Sequence, residues 1–249
     1  MLNTNAPKQT KKAEDFYSRV IELLLAHKMP FMIGGTYAFA AYTGIERPTK
    51  DIDIKCAFDD YPTILKTFSD AGFKTEISEE QWIAKVHEPD HGFFTDVIFA
   101  EKNGLAKIDR GWMKRARVGT VLGHKVKLEP LEDMIASKAF IQQKERFDGA
   151  DVINLIYKYS DTLDWKFLEA KMEPHWELLF AHLVNFMFVY PSEKEAIPKW
   201  LLEDFLKRAQ KEFFAATPDK KFTRGLLISS QYEPAVTQWG FHPVVNGVK

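Results

Sequence analysis

The sequence predicts an α/β (α+β) protein: a mixed sheet flanked by helices over residues 1–129, an all-helical domain over 130–215, and a C-terminal tail, 216–249. Three observations carry this reading. Up to residue 129, short apolar strands alternate with segments of helical spacing. At Pro130 the texture changes, and nearly everything to Phe214 has helical periodicity. From Lys220 to Lys249, Gly, Pro and aromatic residues are scattered with no clear period, so the tail has no predicted role.

The elements follow in order. Phe16, Val20, Leu23, Leu24 and His27 recur at helical spacing, which makes Ala13–His27 an amphipathic helix. Met29-Pro30 ends it and leads into an apolar strand, Phe31-Met32-Ile33. Thr36 to Tyr42 reads as a helix whose N-terminus is Gly34-Gly35. Asp51 to Cys56 alternates charged and apolar residues, the signature of a half-buried strand. Tyr61–Ala71 is helical and Gly72 stops it. Phe73–Ile77, Trp82–His87 and Phe93–Ala100 read as strands, with a turn cluster at 88–92 between the last two. Val118–Leu122 and Lys125–Leu128 form a hairpin about Gly123-His124. Glu129-Pro130-Leu131-Glu132-Asp133 opens the helical domain, with Pro in the first turn and acids against the helix dipole. Trp176, Phe180, Phe186, Phe188, Tyr190 and Trp200 are expected to fill the core of that domain.

Composition narrows the function classes. The chain has 249 residues, enough for one large or two small domains, and a formal net charge of -1, which argues against a generally basic nucleic-acid coat. One cysteine, Cys56, excludes an intramolecular disulfide framework and a zinc cluster of several thiolates. No run approaches the roughly 20 apolar residues needed to span a bilayer, and no apolar signal region follows the lysine-bearing start. A cytoplasmic protein with no membrane partner is expected. No Walker A loop, dinucleotide-binding glycine fingerprint or serine nucleophile elbow is present.

Two features point to chemistry. On a strand, Asp51, Asp53 and Lys55 share one face while Ile52, Ile54 and Cys56 share the other. Two carboxylates that close repel, and a divalent cation relieves the conflict. Mg²⁺ takes one or two carboxylates together with substrate phosphates. Upstream, Gly34-Gly35 lies where free N–H groups and the positive end of a helix dipole favour an anion. A phosphate cradle beside a two-carboxylate site describes a nucleoside triphosphate and its metal.

Ile33-Gly34-Gly35-Thr36, followed by Arg47-Pro48-Thr49-Lys50-Asp51-Ile52-Asp53-Ile54, resembles the signature of the polymerase-β-like nucleotidyltransferase superfamily. The form of the motif is similar to that of a bacterial branch containing abortive-infection toxin nucleotidyltransferases. The likeness extends over Phe31 to Phe99 and, more weakly, over Leu131 to Tyr159. It implies a third acid on a later strand, supplied by Asp96 in Phe93-Phe94-Thr95-Asp96-Val97-Ile98-Phe99. Asp51, Asp53 and Asp96 are then the catalytic and metal-binding acids, holding two Mg²⁺ (or Mn²⁺), and Asp96 helps deprotonate the attacking hydroxyl. The reaction implied is transfer of a nucleoside monophosphate from an NTP to an acceptor hydroxyl.

Gly34, Gly35 and Thr36 are expected at the donor's phosphates, with Arg47 and Lys50 flanking the strand either as phosphate contacts or as partners of nearby acids. Lys138 stands on an inward helix stripe and either snorkels to solvent or places a point charge on the triphosphate. Related enzymes carry a Lys, an Arg and paired acids in this region, here Lys138, Arg146, Asp148 and Asp151. The last two either cap the following helix or orient Lys138.

Between Glu101 and Lys127, eight basic residues stand against two acids, a local +6. It is either a solvated face or a track for a polyanion, with Trp112 as a base-stacking or core residue. His87, His91 and His124 have no metal-ligand spacing. RNA, such as a tRNA end, is the acceptor that the toxin-like resemblance implies. A small hydroxylated molecule of the aminoglycoside kind, a protein side chain, or a nucleotide-binding role without turnover beside an antitoxin are the alternatives.

Overall fold

The computed structural model describes residues 11–89, 92–142, 146–216, 219–222 and 233–243. His91, most of the predicted tail and part of the 88–92 turn lie outside them. The chain divides into two compact units, Met1–Pro130 and Leu131–Lys249.

The first unit is built on a seven-stranded mixed sheet in the order β3-β4-β5-β2-β1-β7-β6. The strands are β1 (Met32–Ile33), β2 (Asp53–Lys55), β3 (Lys74–Glu79), β4 (Ile83–His87), β5 (Phe94–Ile98), β6 (Arg117–Val121) and β7 (His124–Leu128). Helices α1 (Lys11–Ala26), α2 (Gly35–Thr43), α3 (Tyr61–Asp70) and α4 (Arg110–Arg115) accompany them. β2 is the strand that matters. It runs antiparallel to β1 on one side and parallel to β5 on the other. Its apolar neighbours Ile52, Ile54 and Cys56 are fully buried, so the alternation read from the sequence fixes which face enters the core. Burial pushes the Cys56 thiol up to about 12, with Asp60 adding to it, which leaves an inert core residue. α1 contributes Phe16, Tyr17, Val20, Ile21 and Leu24 to the same core, a stripe at the spacing of one helix face.

One sequence expectation needs correction here, and one left open is decided. The hairpin turns on Leu122-Gly123, with Val121 opposite His124, one residue earlier than predicted. Both turn residues have positive φ, 48° and 80°, as a two-residue turn matched to strand twist requires, and Leu122 takes the first position despite its side chain. Trp112 is core, 3% exposed and packed with Met32 and Ile108, so it offers no face to a base.

The second unit contains α5 (Leu131–Ala139), α6 (Gly149–Tyr159), α7 (Trp165–Met172), α8 (Trp176–Val189), α9 (Lys199–Phe213) and a short α10 (Glu233–Thr237). A parallel pair, β8 (Lys221–Phe222) and β9 (His242–Pro243), lies in the region expected to be patternless. Leu155, Ile156, Leu179, Leu183, Phe186, Leu201 and Phe205 form the core. Trp176 and Phe186 join it as expected, but Phe188 is 84% exposed and Trp200 is 37% exposed. Phe188 falls off the stripe set by Leu179, Leu183 and Phe186, and the Lys166 ammonium covers the Trp200 ring at 3.3 Å. Among the described residues no helix is long and apolar enough to cross a membrane.

Candidate active site

The site lies where β1 hands over to α2 and where β2 lies between β1 and β5. The Gly34 N–H donates to the Asp53 carbonyl at 2.9 Å, tying the glycine turn to the acidic strand. Gly34 then caps α2 in extended conformation with no side-chain hydrogen bond. Gly35 adopts φ +55°, a region that glycine enters without cost. A Cβ built there would stand 1.6 Å from Asp53 Oδ2. The Asp53 carboxylate therefore rests in the space that the missing side chain leaves. The two glycines and the Asp-x-Asp motif, separate in sequence, are one packed unit.

Asp53 pairs in register with Asp96 across β2 and β5. Asp51 precedes the strand and accepts a hydrogen bond from the Thr49 hydroxyl at 2.9 Å on Oδ1. Burial foremost, then the charges of Asp51 and Asp96, push the Asp53 carboxyl from 3.8 up to about 7. Burial likewise raises Asp96, against the pull of Lys85.

Lys85 is a residue that sequence reasoning missed. It is the antiparallel partner of Asp96 on β4, and its Nζ donates to Asp96 Oδ1 at 2.6 Å. The only signal was its place on a predicted strand; the strand order that brings it to Asp96 is not written in local spacing. Lys55 was assigned to the aspartate face but not given a partner. Its ammonium reaches Glu129 Oε1 at 2.5 Å and Glu101 at 3.7 Å, over the Trp112 ring at 5.3 Å. Burial disfavours that ammonium, but the two glutamates outweigh it and hold its pKa above the ordinary lysine value.

The remaining expected residues are distributed as follows. Thr36 sits in the first turn of α2, half-buried. Arg47 is exposed, with its guanidinium 4.8 Å from the Phe39 ring centroid. Lys50 is exposed, and its carbonyl accepts from Tyr17 Oη at 2.8 Å. Lys138, Asp148 and Asp151 belong to the second unit and form a cluster of their own. Lys138 is 5% exposed, with Nζ 2.7 Å from Asp148 Oδ2 and 2.6 Å from Asp151 Oδ2. It does not snorkel. Nor does Asp148 cap α6 with its side chain, which binds Lys138 and Arg146 instead. Burial resists ionisation of Asp148, but the Arg146 hydrogen bonds and the Lys138 charge hold its carboxyl below the usual range.

Residues 17–99 match the family model described as aminoglycoside-2''-adenylyltransferase. That stretch contains Gly34, Gly35, Asp51, Asp53 and Asp96, the residues that the geometry has just brought together. The match lies wholly within the first unit and spans about a third of the chain. Solved structures with likeness to the chain include a lincosamide antibiotic adenylyltransferase, LnuA, bound to lincomycin: 18% identity, TM-score 0.41, 59% of this chain and 96% of that one. The antibiotic-resistance factor ANT(2'')-Ia follows at 14% identity and TM-score 0.42, covering 81% and 95%. An antigenic nucleotidyltransferase-like protein from Paracoccidioides brasiliensis has 18% identity and TM-score 0.46, covering 77% and 94%. No curated protein matches the chain.

The family that residues 17–99 resemble implies an NTP donor and usually a divalent metal. Asp51 and Asp53 suit a hard cation: they offer only oxygen, and their crowding is the conflict that a cation resolves. Among the described residues no three His, Cys, Asp or Glu side chains are gathered closely enough to hold an ion by themselves. Asp96 has one oxygen already committed to Lys85. The pair therefore fits the mode in which two carboxylates share the ion with substrate phosphates and water.

Proposed function

We propose that the chain is a nucleotidyltransferase that moves a nucleoside monophosphate from an NTP to a hydroxyl of a small molecule. The observation that carries the reading is the seating of Asp53 on Gly35, in register with Asp96. It puts a glycine turn at the N-terminus of α2, two metal-suited carboxylates and a third acid within one packed unit. The family model covering these residues is described by a small-molecule acceptor, which favours this class over RNA.

In this reading Asp51 and Asp53 would hold Mg²⁺ or Mn²⁺, two ions with the donor bound, and the metal would supply charge stabilisation at the reacting phosphate. The N–H groups of Gly35 and Thr36 would face the donor's phosphates, with Arg47 and Lys50 beside them, while the Gly34 N–H stays on the Asp53 carbonyl and holds the turn. Asp96 accepts the proton of the acceptor hydroxyl. The acceptor oxygen bonds to the α-phosphorus, the α–β phosphoanhydride bond breaks, and pyrophosphate leaves. Lys138 is held by Asp148 and Asp151 inside the second unit, and the transfer needs no contact from it.

The second reading, an RNA acceptor with toxin-like action and an antitoxin partner, rests on the basic run. Lys102, Lys107, Arg110, Lys114, Arg115, Lys125 and Lys127 are all exposed. Several already have local roles: Lys107 lies 3.8 Å from the Phe58 ring centroid, Arg110 is 3.4 Å from Asp60, and Lys127 donates to the Met113 carbonyl at 2.8 Å. The test is to incubate the protein with each α-labelled NTP and, separately, an aminoglycoside and lincosamide panel or total cellular RNA. Label transferred to a small molecule supports the first reading. Label only in RNA replaces it with the second, and no transfer to either, with all four NTPs and Mg²⁺ or Mn²⁺, overturns both.

A further inference from the structure

Asp96 does not stand alone beside the Asp51–Asp53 pair. Lys85 is its cross-strand partner, and such partners project on the same sheet face. The Lys85 Nζ lies 2.6 Å from Asp96 Oδ1 and 3.9 Å from the Phe94 ring centroid. Asp96 and Phe94 occupy the same face of β5, two residues apart, so the ammonium is held between a carboxylate and an aromatic ring. The lysine side chain is 29% exposed and the aspartate 13%, a partly desolvated pair in which a charge-assisted hydrogen bond has a defined geometry. Among the described residues Asp96 Oδ2 accepts no hydrogen bond. The two oxygens of this carboxylate are thus unequal: one is tied down and the other is available.

We propose that Lys85 is a positioning residue for Asp96, fixing its rotamer through Oδ1 so that Oδ2 is the oxygen that meets the acceptor hydroxyl. This rests on the nucleotidyltransferase reading above. Lys85 touches neither donor nor acceptor. It acts through Asp96, and its removal affects turnover rather than binding of the metal and nucleotide. A freely rotating carboxylate presents its oxygens in several orientations, and small misplacements of a catalytic group are costly. Arginine at the same place keeps the cation and a donor to Oδ1, although its planar fork does not reproduce the contact fully.

The experiment is a double-mutant cycle on the full chain with Lys85→Met, Lys85→Arg, Asp96→Asn and Lys85→Met/Asp96→Asn. The readouts are kcat and KM with the acceptor that the labelling screen identifies, calorimetric binding of Mn²⁺ with the preferred NTP in the absence of acceptor, and thermal melting. Lys85→Met is expected to lower kcat on the order of 30-fold, while KM and Mn²⁺–NTP affinity stay within about threefold. Lys85→Arg is expected to recover most of the loss, and in the Asp96→Asn background Lys85→Met is expected to add nothing. An unchanged kcat in Lys85→Met overturns the proposal. So does an undiminished further loss on top of Asp96→Asn, or a Mn²⁺–NTP affinity that falls in step with kcat. Failure of the underlying reading has a different signature: the wild-type protein itself then transfers no label.

Discussion

Gly35 and Asp53 occupy each other's space: the position a Cβ would take on Gly35 is 1.6 Å from Asp53 Oδ2. The turn expected to cradle phosphate is also the seat of a metal-suited carboxylate. Gly35→Ala is therefore expected to act twice. It strains a backbone at φ +55° by roughly 1 kcal/mol or more and pushes the Asp53 carboxylate aside. Transfer should fall on the order of 100-fold or more, and urea melts should show the lost stability.

Asp51→Asn and Asp53→Asn are each expected to abolish transfer and to remove the rise in melting temperature that Mg²⁺ or Mn²⁺ gives the wild-type protein. Ligand binding to the native state alone stabilises it, so the shift should grow with ion concentration in wild type only. A variant that kept near-wild-type transfer would remove the pair from the mechanism.

The raised Asp53 carboxyl makes a pH prediction whose sign is opposite to that of a salt-bridged acid. In the folded protein it titrates at about 7, against 3.8 ordinarily, so between those values the native state binds the extra proton. Its stabilising contribution is complete below about pH 4 and is lost as pH rises through 7, a change of a few kcal/mol in metal-free buffer. Asp53→Asn should flatten that part of the stability profile and be the more stable protein at pH 8. Because a bound cation competes with the same proton, divalent affinity should climb over the same interval. Chemical denaturation and calorimetry at several pH values check both.

Lys138→Met is expected to leave Asp148 and Asp151 buried without their shared cation, costing about 3–5 kcal/mol. The sequence left this lysine either snorkelling or at the triphosphate; the ion cluster gives it a structural role as well. Replacing all three with apolar residues should recover much of the loss in melts. Binding of NTP to that refolded triple variant tests the triphosphate role separately from stability.

Charge reversal at the exposed Lys114 and Lys125 is expected to leave small-molecule transfer unchanged. If RNA were the acceptor, each reversal would weaken its binding and reduce the salt dependence of affinity, measurable by titration at two ionic strengths.

Much of this was legible in the sequence because it is local. The strand alternation from Asp51 to Cys56 fixes which face is buried, and the glycines fix where α2 begins. The stripe that makes α1 is equally local. What was not legible depends on which strands become neighbours. Lys85 meets Asp96, and Lys55 meets Glu129, across 11 and 74 positions of chain. No spacing rule within one element reports such pairs. The misplaced hairpin centre has a smaller cause. Leu122 takes a positive φ that favours glycine or asparagine, so the turn carries only half of its usual signature.

The crowding at Gly35 has a genetic corollary. Every missense change at its codon, whatever the base altered, introduces a side chain where the Asp53 carboxylate must sit. Position 35 should therefore show no graded tolerance in a saturation library selected for activity: only synonymous codons survive. Positions such as Lys66, whose side chain is 72% exposed on α3, should accept a spectrum of residues in the same selection.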